Sequence, residues 1–349
     1  MRMVRIAGEL NAEAKAEQEA ERQILDAQAR KARYVAVEEA KAAGDIAEVV
    51  ALMRAGEGLI VTVLGGVTVD ATWDVEVQRA GCEALASMAC DDNGRVAIAS
   101  EGGIQSVVDA MDWFKDDVQV QKNGCEALGR LAVNPDNQVT IESKGGIRSI
   151  HNAMGSFKDD AEVQQSGCSA LWNLALNGAN KVAIKDQGGI RLVITAMGRF
   201  EDDVEVNKRG CTVLWCLACE AVPGKLAVPA GKLAVPAGSQ EAIACEGGIQ
   251  AVVAAMRRFG DDHEVQERGC GALKSLAVDP DNQVTIAGEG GIQAVVEAMG
   301  RFTDHVRIQQ EGCGALRSLA VNPDNQVTIA AEGGIQAVLT VSSESPYGY

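Results

Sequence analysis

The sequence predicts an all-α chain: a right-handed α-solenoid of six to seven helical repeats behind a charged N-terminal helix. Two markers predict it. Val-Gln-x-x-Gly-Cys-x-Ala-Leu-x-x-Leu-Ala recurs with its cysteine at Cys82, Cys125, Cys168, Cys211, Cys270 and Cys313, in steps of 43, 43, 43, 59 and 43 residues. Gly-Gly-Ile recurs with its isoleucine at Ile104, Ile147, Ile190, Ile249, Ile292 and Ile335, in steps of 43, 43, 59, 43 and 43. Both carry the same 16 extra residues in the same place. A period near ~40–47 residues marks helical units that bury their apolar faces on their neighbours. The third observation is composition. Hydrophobic residues make up 47% and aromatics 3%, so the core is built from Ala, Val, Leu, Ile and Met.

The elements follow in order along residues 279–321. Pro280 and Asn282 punctuate a turn, with Asp281 or Asn282 as the cap of a short first helix. Gly290-Gly291 stops that helix and turns the chain. Ile292, Val295, Val296 and Met299 then fall at i, i+3, i+4 and i+7, one apolar face of a second helix. Phe302 and Asp304 close it and open a third. Ile308, Cys313, Leu316, Leu319 and Ala320 are the third helix's apolar stripe. Gly312 sits inside that helix at a cost of about 1 kcal/mol against Ala. It recurs as Gly81, Gly124, Gly167, Gly210 and Gly269, which points to close approach of a neighbouring helix. Asp116-Asp117, Asp159-Asp160, Asp202-Asp203 and Asp261-Asp262 precede third helices. They read as N-caps that suit the helix dipole and together form an acidic edge.

Departures from the repeat divide the chain. Residues 1–32 are rich in Ala, Glu, Lys and Gln and read as a charged helix; Ile6, Leu10, Ile24 and Leu25 do not sustain heptads. Residues 33–90 form a degenerate first repeat, with Arg33 to Ala43 as its first helix and residues 56–74 inserted. Within that insertion β-branched residues alternate around Gly65-Gly66. This reads as a small hairpin or extended loop that caps the first repeat, the alternative being an apolar tip for a partner. Residues 91–219 hold repeats two to four. Residues 220–238 are an insertion containing Lys-Leu-Ala-Val-Pro-Ala-Gly twice, at 225–231 and 232–238. Its Pro and Gly forbid a helix, and it reads as a duplication in a tolerant surface loop. Residues 239–341 hold repeats five, six and half of seven, and 342–349 form a tail. The half-repeat leaves Ile335, Val338 and Leu339 to be covered by the tail, by a second copy or by a continuing array.

A net charge of −17 argues against a nucleic-acid backbone or an anionic membrane as main partner. The N-terminus lacks a signal h-region and a Gly at position 2, and no apolar run reaches membrane-span length. The six repeat cysteines read as reduced core thiols, which implies a cytoplasmic chain, the nucleus being the alternative. Three histidines (His151, His263, His305) give little material for catalysis or a metal. Cys216-Leu-Ala-Cys219 lacks a second Cys pair, so no zinc site is expected. The Gly-Gly turns lack the Lys-Ser/Thr of a phosphate loop. No nucleophile and base come together. The chain is expected to be no enzyme and to need no cofactor.

The run from Asn282 through Gly290-Gly291-Ile292, followed by the Val-Gln-x-x-Gly-Cys motif, resembles the armadillo consensus, with Gly-Cys where Ala-Ala is usual. The resemblance covers about residues 33–341. HEAT repeats, with two helices and no Gly-Gly-Ile turn, are the runner-up. The resemblance implies that third helices line a concave groove holding an extended segment of a partner protein. It places Arg79, Glu83, Lys122, Glu126, Arg130, Gln165, Ser169, Trp172, Asn173, Lys208, Thr212, Trp215, Glu267, Lys274, Gln310 and Arg317 there. Trp172 and Trp215 either anchor a partner or pack between adjacent third helices. Importin-alpha repeats a Trp and an Asn along its groove. The matching Trp positions here hold Glu83, Glu126, Ser169, Thr212, Gly271 and Gly314, and Asn173 alone matches the Asn. Catenins use Lys and Arg to hold acidic segments, which Lys122, Arg130, Lys208, Lys274 and Arg317 match better. Vacuolar armadillo proteins tether membranes through N-terminal acylation, for which this N-terminus has neither Gly nor Cys. The expected function is a scaffold for acidic or mixed-charge segments, without membrane insertion. Alternatives are a transport adaptor for basic peptides, a subunit that self-associates through the C-terminal end, and a regulatory exchange factor for small GTPases.

Overall fold

A computed structural model describes residues 2–54, 60–63, 67–70, 74–219 and 238–344. The chain divides into two compact units, residues 1–127 and 128–349. The first contains α1 (Arg2–Ala43), α2 (Ile46–Arg54), a hairpin of β1 (Ile60–Val63) and β2 (Val67–Asp70), α3 (Val75–Met88), α4 (Asp92–Ser100) and α5 (Gly103–Trp113). Helix α6 (Val118–Leu131) straddles the division. The second contains α7 (Pro135–Ser143), α8 (Gly146–Ser156), α9 (Ala161–Leu174), α10 (Gly178–Asp186), α11 (Gly189–Arg199) and α12 (Val204–Ala218). It continues with α13 (Ser239–Cys245), α14 (Gly248–Arg258), α15 (His263–Leu276), α16 (Pro280–Gly288), α17 (Gly291–Arg301), α18 (Val306–Leu319), α19 (Pro323–Ala331) and α20 (Gly334–Glu344). The fold is all-α apart from the hairpin, whose strands pair antiparallel with Val61 opposite Val69.

Each complete repeat in the second unit is a short first helix, a second helix and a longer third, and α19 and α20 are the first two helices of a further one. The first helix is capped two to three residues earlier than the sequence suggests. Asp279, not Asp281 or Asn282, is the N-cap, and its carboxylate accepts from the amides of Asp281 and Asn282. Pro280 dictates this: its fixed φ and missing N–H suit the first helical position. Asn134 and Asn322 cap the same way ahead of Pro135 and Pro323. The displaced asparagine is buried and has another task. Asn282 Nδ2 donates to the carbonyls of Leu276 (3.2 Å) and Gln240 (3.3 Å), the latter in the preceding repeat. Asn325 makes the same pair with Leu319 and Gln283. At the end of the first helix Gly290 takes φ +75°, left-handed backbone that few residues other than glycine adopt, and α17 starts on the next residue.

The second and third helices lock through the motif's Gly and Gln. A Cβ on Gly269 would collide with the Met256 side chain, and each of the other five recurring glycines faces a methionine in the same way. The close neighbour expected from the sequence is thus the repeat's own second helix. Gln266 Nε2 donates to the carbonyls of Met256 (2.8 Å) and Phe259 (2.9 Å), closing the C-terminus of α14. Gln164 and Gln309 repeat the arrangement. Because the Met256 carbonyl loses its donor while that of Phe259 keeps the Asp262 amide, Gln266→Leu is expected to cost about 1–3 kcal/mol in urea unfolding. A loss within 0.5 kcal/mol or so, the size of an ordinary surface change, would refute the role.

Third helices stack in sequence, α9 on α12, α12 on α15 and α15 on α18. The longer 59-residue step therefore leaves α12 and α15 neighbours like any other pair.

In the first unit α1 is continuous, so the charged lead-in expected to end at residue 32 and the first helix expected from Arg33 are one helix. Ala29, Val37 and Ala40 bury one face of it. Lys41 Nζ reaches Glu83 at 2.7 Å and Arg30 approaches Asp74 at 3.6 Å, so α1 runs alongside α3. Gln78 donates to the Met53 carbonyl at 2.8 Å, which makes α2 the second helix of the degenerate repeat. The expected hairpin is present as strands; its turn, most of the duplicated Lys-Leu-Ala-Val-Pro-Ala-Gly segment and the tail past residue 344 lie outside the described residues. On α20, Ile335 and Leu339 are exposed.

Candidate protein-binding face

Aspartates set the third helices of the second unit. Asp160, Asp203 and Asp262 cap α9, α12 and α15, each carboxylate accepting at 2.9 Å from the amide three residues on. On α18 the cap is His305, whose Nδ1 accepts from the Ile308 amide at 3.4 Å. The other aspartate of each doublet has a different partner. Asp159, Asp202 and Asp261 pair with Arg199, Arg258 and Arg301 at the ends of second helices one repeat on. The acidic edge read from the sequence is therefore largely matched by cations of the chain itself.

The same self-matching runs along the third-helix face. Lys208 on α12 pairs with Glu205 and, at 2.8 Å, with Glu264 on α15. Burial works against its charge, but the hydrogen bonds to the two glutamates outweigh that and raise its pKa. Lys208 in turn holds Glu264 below the usual carboxylate range. Lys274 on α15 meets Glu311 on α18 at 2.9 Å, and Glu311 is 5% exposed. Arg209 donates to Ser169 Oγ (2.7 Å) and to the Gln165 carbonyl (3.1 Å). Gln165 reaches Asp203 at 3.2 Å, Asn173 donates to the Gly129 carbonyl at 2.8 Å, and buried Thr212 bonds the Lys208 carbonyl. In the first unit Arg79 hydrogen-bonds both Asp117 oxygens, which raises the guanidinium pKa and lowers that of the carboxyl. Glu83 takes Lys41. Lys122 and Glu126 are half-buried and Arg130 is exposed.

Trp172, Trp215, Lys274 and Arg317 occupy one column, the same turn of four successive third helices. Trp215 is 5% exposed. A Cβ added to Gly271 would lie about 2.5 Å from its indole, so the ring rests on the backbone of α15. Of the two readings of the tryptophans, Trp215 takes the packing one. The Lys274 stem lies on Gly314 in the same manner. Trp172 is half-exposed and Arg317 is exposed, as is Gln310; Glu267 pairs with Arg268.

One feature of this region was not visible from spacing. Lys181, on the first helix α10, stands where other repeats have Gln138, Gln240 and Gln283. It is 1% exposed, and its Nζ donates to the Cys219 carbonyl at 2.6 Å. Cys219 and Cys216 surround it, and Cys219 Sγ touches Ser275 Oγ at 3.0 Å. These cysteines are core residues. Burial pushes the Cys216 thiol up to about 12, as it does those of Cys82, Cys168 and Cys211, and that of Cys270 rises too. Such thiols are inert at neutral pH.

A family model described as LRRK2 ARM repeat matches residues 62–222. The fold is of the armadillo type. Solved structures agree. A crystal structure of an engineered protein from a structural genomics consortium superposes with a TM-score of 0.61 at 24% identity, over 79% of this chain and 97% of that one. A second engineered protein from the same source gives 0.53 at 24% identity, over 93% and 86%. A structure from work on a phosphorylation switch that controls the interaction between cadherin and β-catenin gives 0.60 at 16% identity. That match covers 81% of this chain and 55% of the other. No curated protein matches by sequence. In armadillo-type terms α9, α12, α15 and α18 are the third helices of four successive repeats. No helix among the described residues is long and apolar enough to cross a membrane.

Proposed function

We propose that this chain is a non-catalytic protein-interaction scaffold of the cytoplasm, holding an extended segment of another protein along the third helices of residues 161–319. One observation carries the reading. Half-exposed Trp172 and exposed Arg317 stand at the two ends of a column whose middle members, Trp215 and Lys274, are packed down on Gly271 and Gly314. The packed residues give a level floor, and the end residues are of the types that dominate interface energetics. The paired cations Lys208 and Lys274 favour a segment of mixed charge, whose carboxylates exchange with Glu264 and Glu311 while its own cations meet the glutamates so released. The armadillo-type neighbour from the cadherin and β-catenin work supports a protein partner.

The test uses fluorescent 20-residue peptides of alternating acidic and basic, purely acidic and purely basic composition, measured by anisotropy. Alternating or acidic peptides are expected to bind, with an at least tenfold loss in a Trp172→Ala, Arg317→Glu double variant, equivalent to about 1.4 kcal/mol. Preference for the basic peptide would favour the transport-adaptor reading. Binding that ignores the double variant would move the site off this face.

A further inference from the structure

We propose that His263 and His305 form a surface site for a borderline divalent metal ion, with Zn2+ as the reference ion. Only three histidines occur in 349 residues, and two of them meet here. The sequence hides this: they are 42 residues apart, one on each of two successive third helices. His263 is the first residue of α15 and His305 the N-cap of α18. Their ring centroids are 5.2 Å apart, and the planes are tilted by 47°. Zn–N bonds of about 2.0–2.1 Å at a near-tetrahedral angle put two imidazole centroids sharing one ion about 5 Å apart. The observed centroid spacing therefore lets the two imidazoles share one ion without moving apart or together.

Neither ring is where the repeat pattern puts it. Every other capped third helix has aspartate at the cap: Asp74, Asp160, Asp203 and Asp262. The residue corresponding to His263 is Val75, Val118, Ala161, Val204 or Val306. Two independent departures, each placing an imidazole, converge on one point. Imidazole is the side chain best matched to Zn2+, Cu2+ and Ni2+.

The His305 hydrogen bond fixes how the ring would respond. With Nδ1 accepting from Ile308, the neutral ring carries its proton on Nε2. Metal binding at Nε2 moves that proton to Nδ1 and gives up the cap. At 3.4 Å the cap is long, so little is lost. Glu264, next to His263, places a negative charge beside the site, although Lys208 holds its carboxylate. Among the described residues no third His, Cys, Asp or Glu completes the set. Water fills the remaining positions, and the site is an exchangeable one.

The test is calorimetric titration with ZnCl2 of a Cys90→Ser, Cys245→Ser background, which removes the two exposed thiols, under a non-chelating reductant. One Zn2+ per chain is expected, with affinity falling at least about tenfold in His263→Ala and in His305→Asn. Asparagine is a stronger N-cap than histidine, so the His305→Asn protein should melt at or above the parent without metal. Loss of zinc from it then cannot come from unfolding. No saturable uptake by the parent, or uptake that either substitution leaves unchanged, overturns the proposal.

Discussion

Trp215→Ala will destabilise the second unit by about 3–5 kcal/mol, and Trp172→Ala will cost clearly less. The two tryptophans share a position in the repeat, yet their surroundings differ. Trp215 is buried, with its ring over Gly271; Trp172 is half-exposed, and the residue that matches Gly271 on the next third helix is Thr212. Truncating Trp215 opens a cavity between α12 and α15 that two rigid helices cannot close. Gly271→Ala tests the contact from the other side. Alanine gains about 1 kcal/mol in helix propensity, but its methyl would stand about 2.5 Å from the indole, and overpacking costs about 1–3 kcal/mol. The net result is expected to be destabilising, and smaller in a Trp215→Ala background. Urea unfolding by circular dichroism, with amide exchange on α12 and α15, reads both. Equal losses for the two tryptophans would show that Trp215 is not a packing residue.

Lys181 carries the second large effect. Lys181→Ala removes a buried stem and orphans the Cys219 carbonyl, for a loss of about 2–4 kcal/mol. Lys181→Gln restores the residue of the other repeats and should stay within about 1 kcal/mol of wild type. The two proteins will differ in pH dependence. Burial lowers the Lys181 pKa in the folded chain from its ordinary 10.5. Between the lowered value and 10.5 the unfolded chain binds a proton that the folded chain resists. Wild type therefore gains stability relative to Lys181→Gln as pH rises through that window. The buried thiols act oppositely above pH 9 or so, since the unfolded chain releases protons that the folded chain keeps. They are common to both proteins and cancel in the difference. Parallel stability curves from pH 6 to 10 would show that the ammonium carries no such penalty.

The repeat was legible because the residues that build it are ones whose spacing is their signature. Gly-Gly-Ile reports a left-handed turn, and the Gly of the third helix reports a close neighbour. The identity of that neighbour was not legible, because Met256 lies 13 residues before Gly269 on another helix. Asn282 looked like a cap because caps and buried amide ties use the same residue type; Pro280 decides between them only once its backbone is seen. The face was less legible still. Lys208, Lys274 and Arg79 read as open cations because their partners Glu264, Glu311 and Asp117 lie one repeat away, where no local pattern connects them. The merging of residues 2–43 into a single helix was not legible because the repeat register puts a helix start at Arg33, although no Gly or Pro there ends the helix before it.

The amide ties between first helices have a consequence for how such a gene changes length. Asn180 to Gln138, Asn282 to Gln240 and Asn325 to Gln283 each span 42 residues. The acceptor is a backbone carbonyl, which every unit offers, so removing or adding one whole 43-residue period presents each of these asparagines with an equivalent partner. Unequal recombination between neighbouring copies would therefore be silent to folding, whereas a shift by any other number of residues would break the ties in the stack.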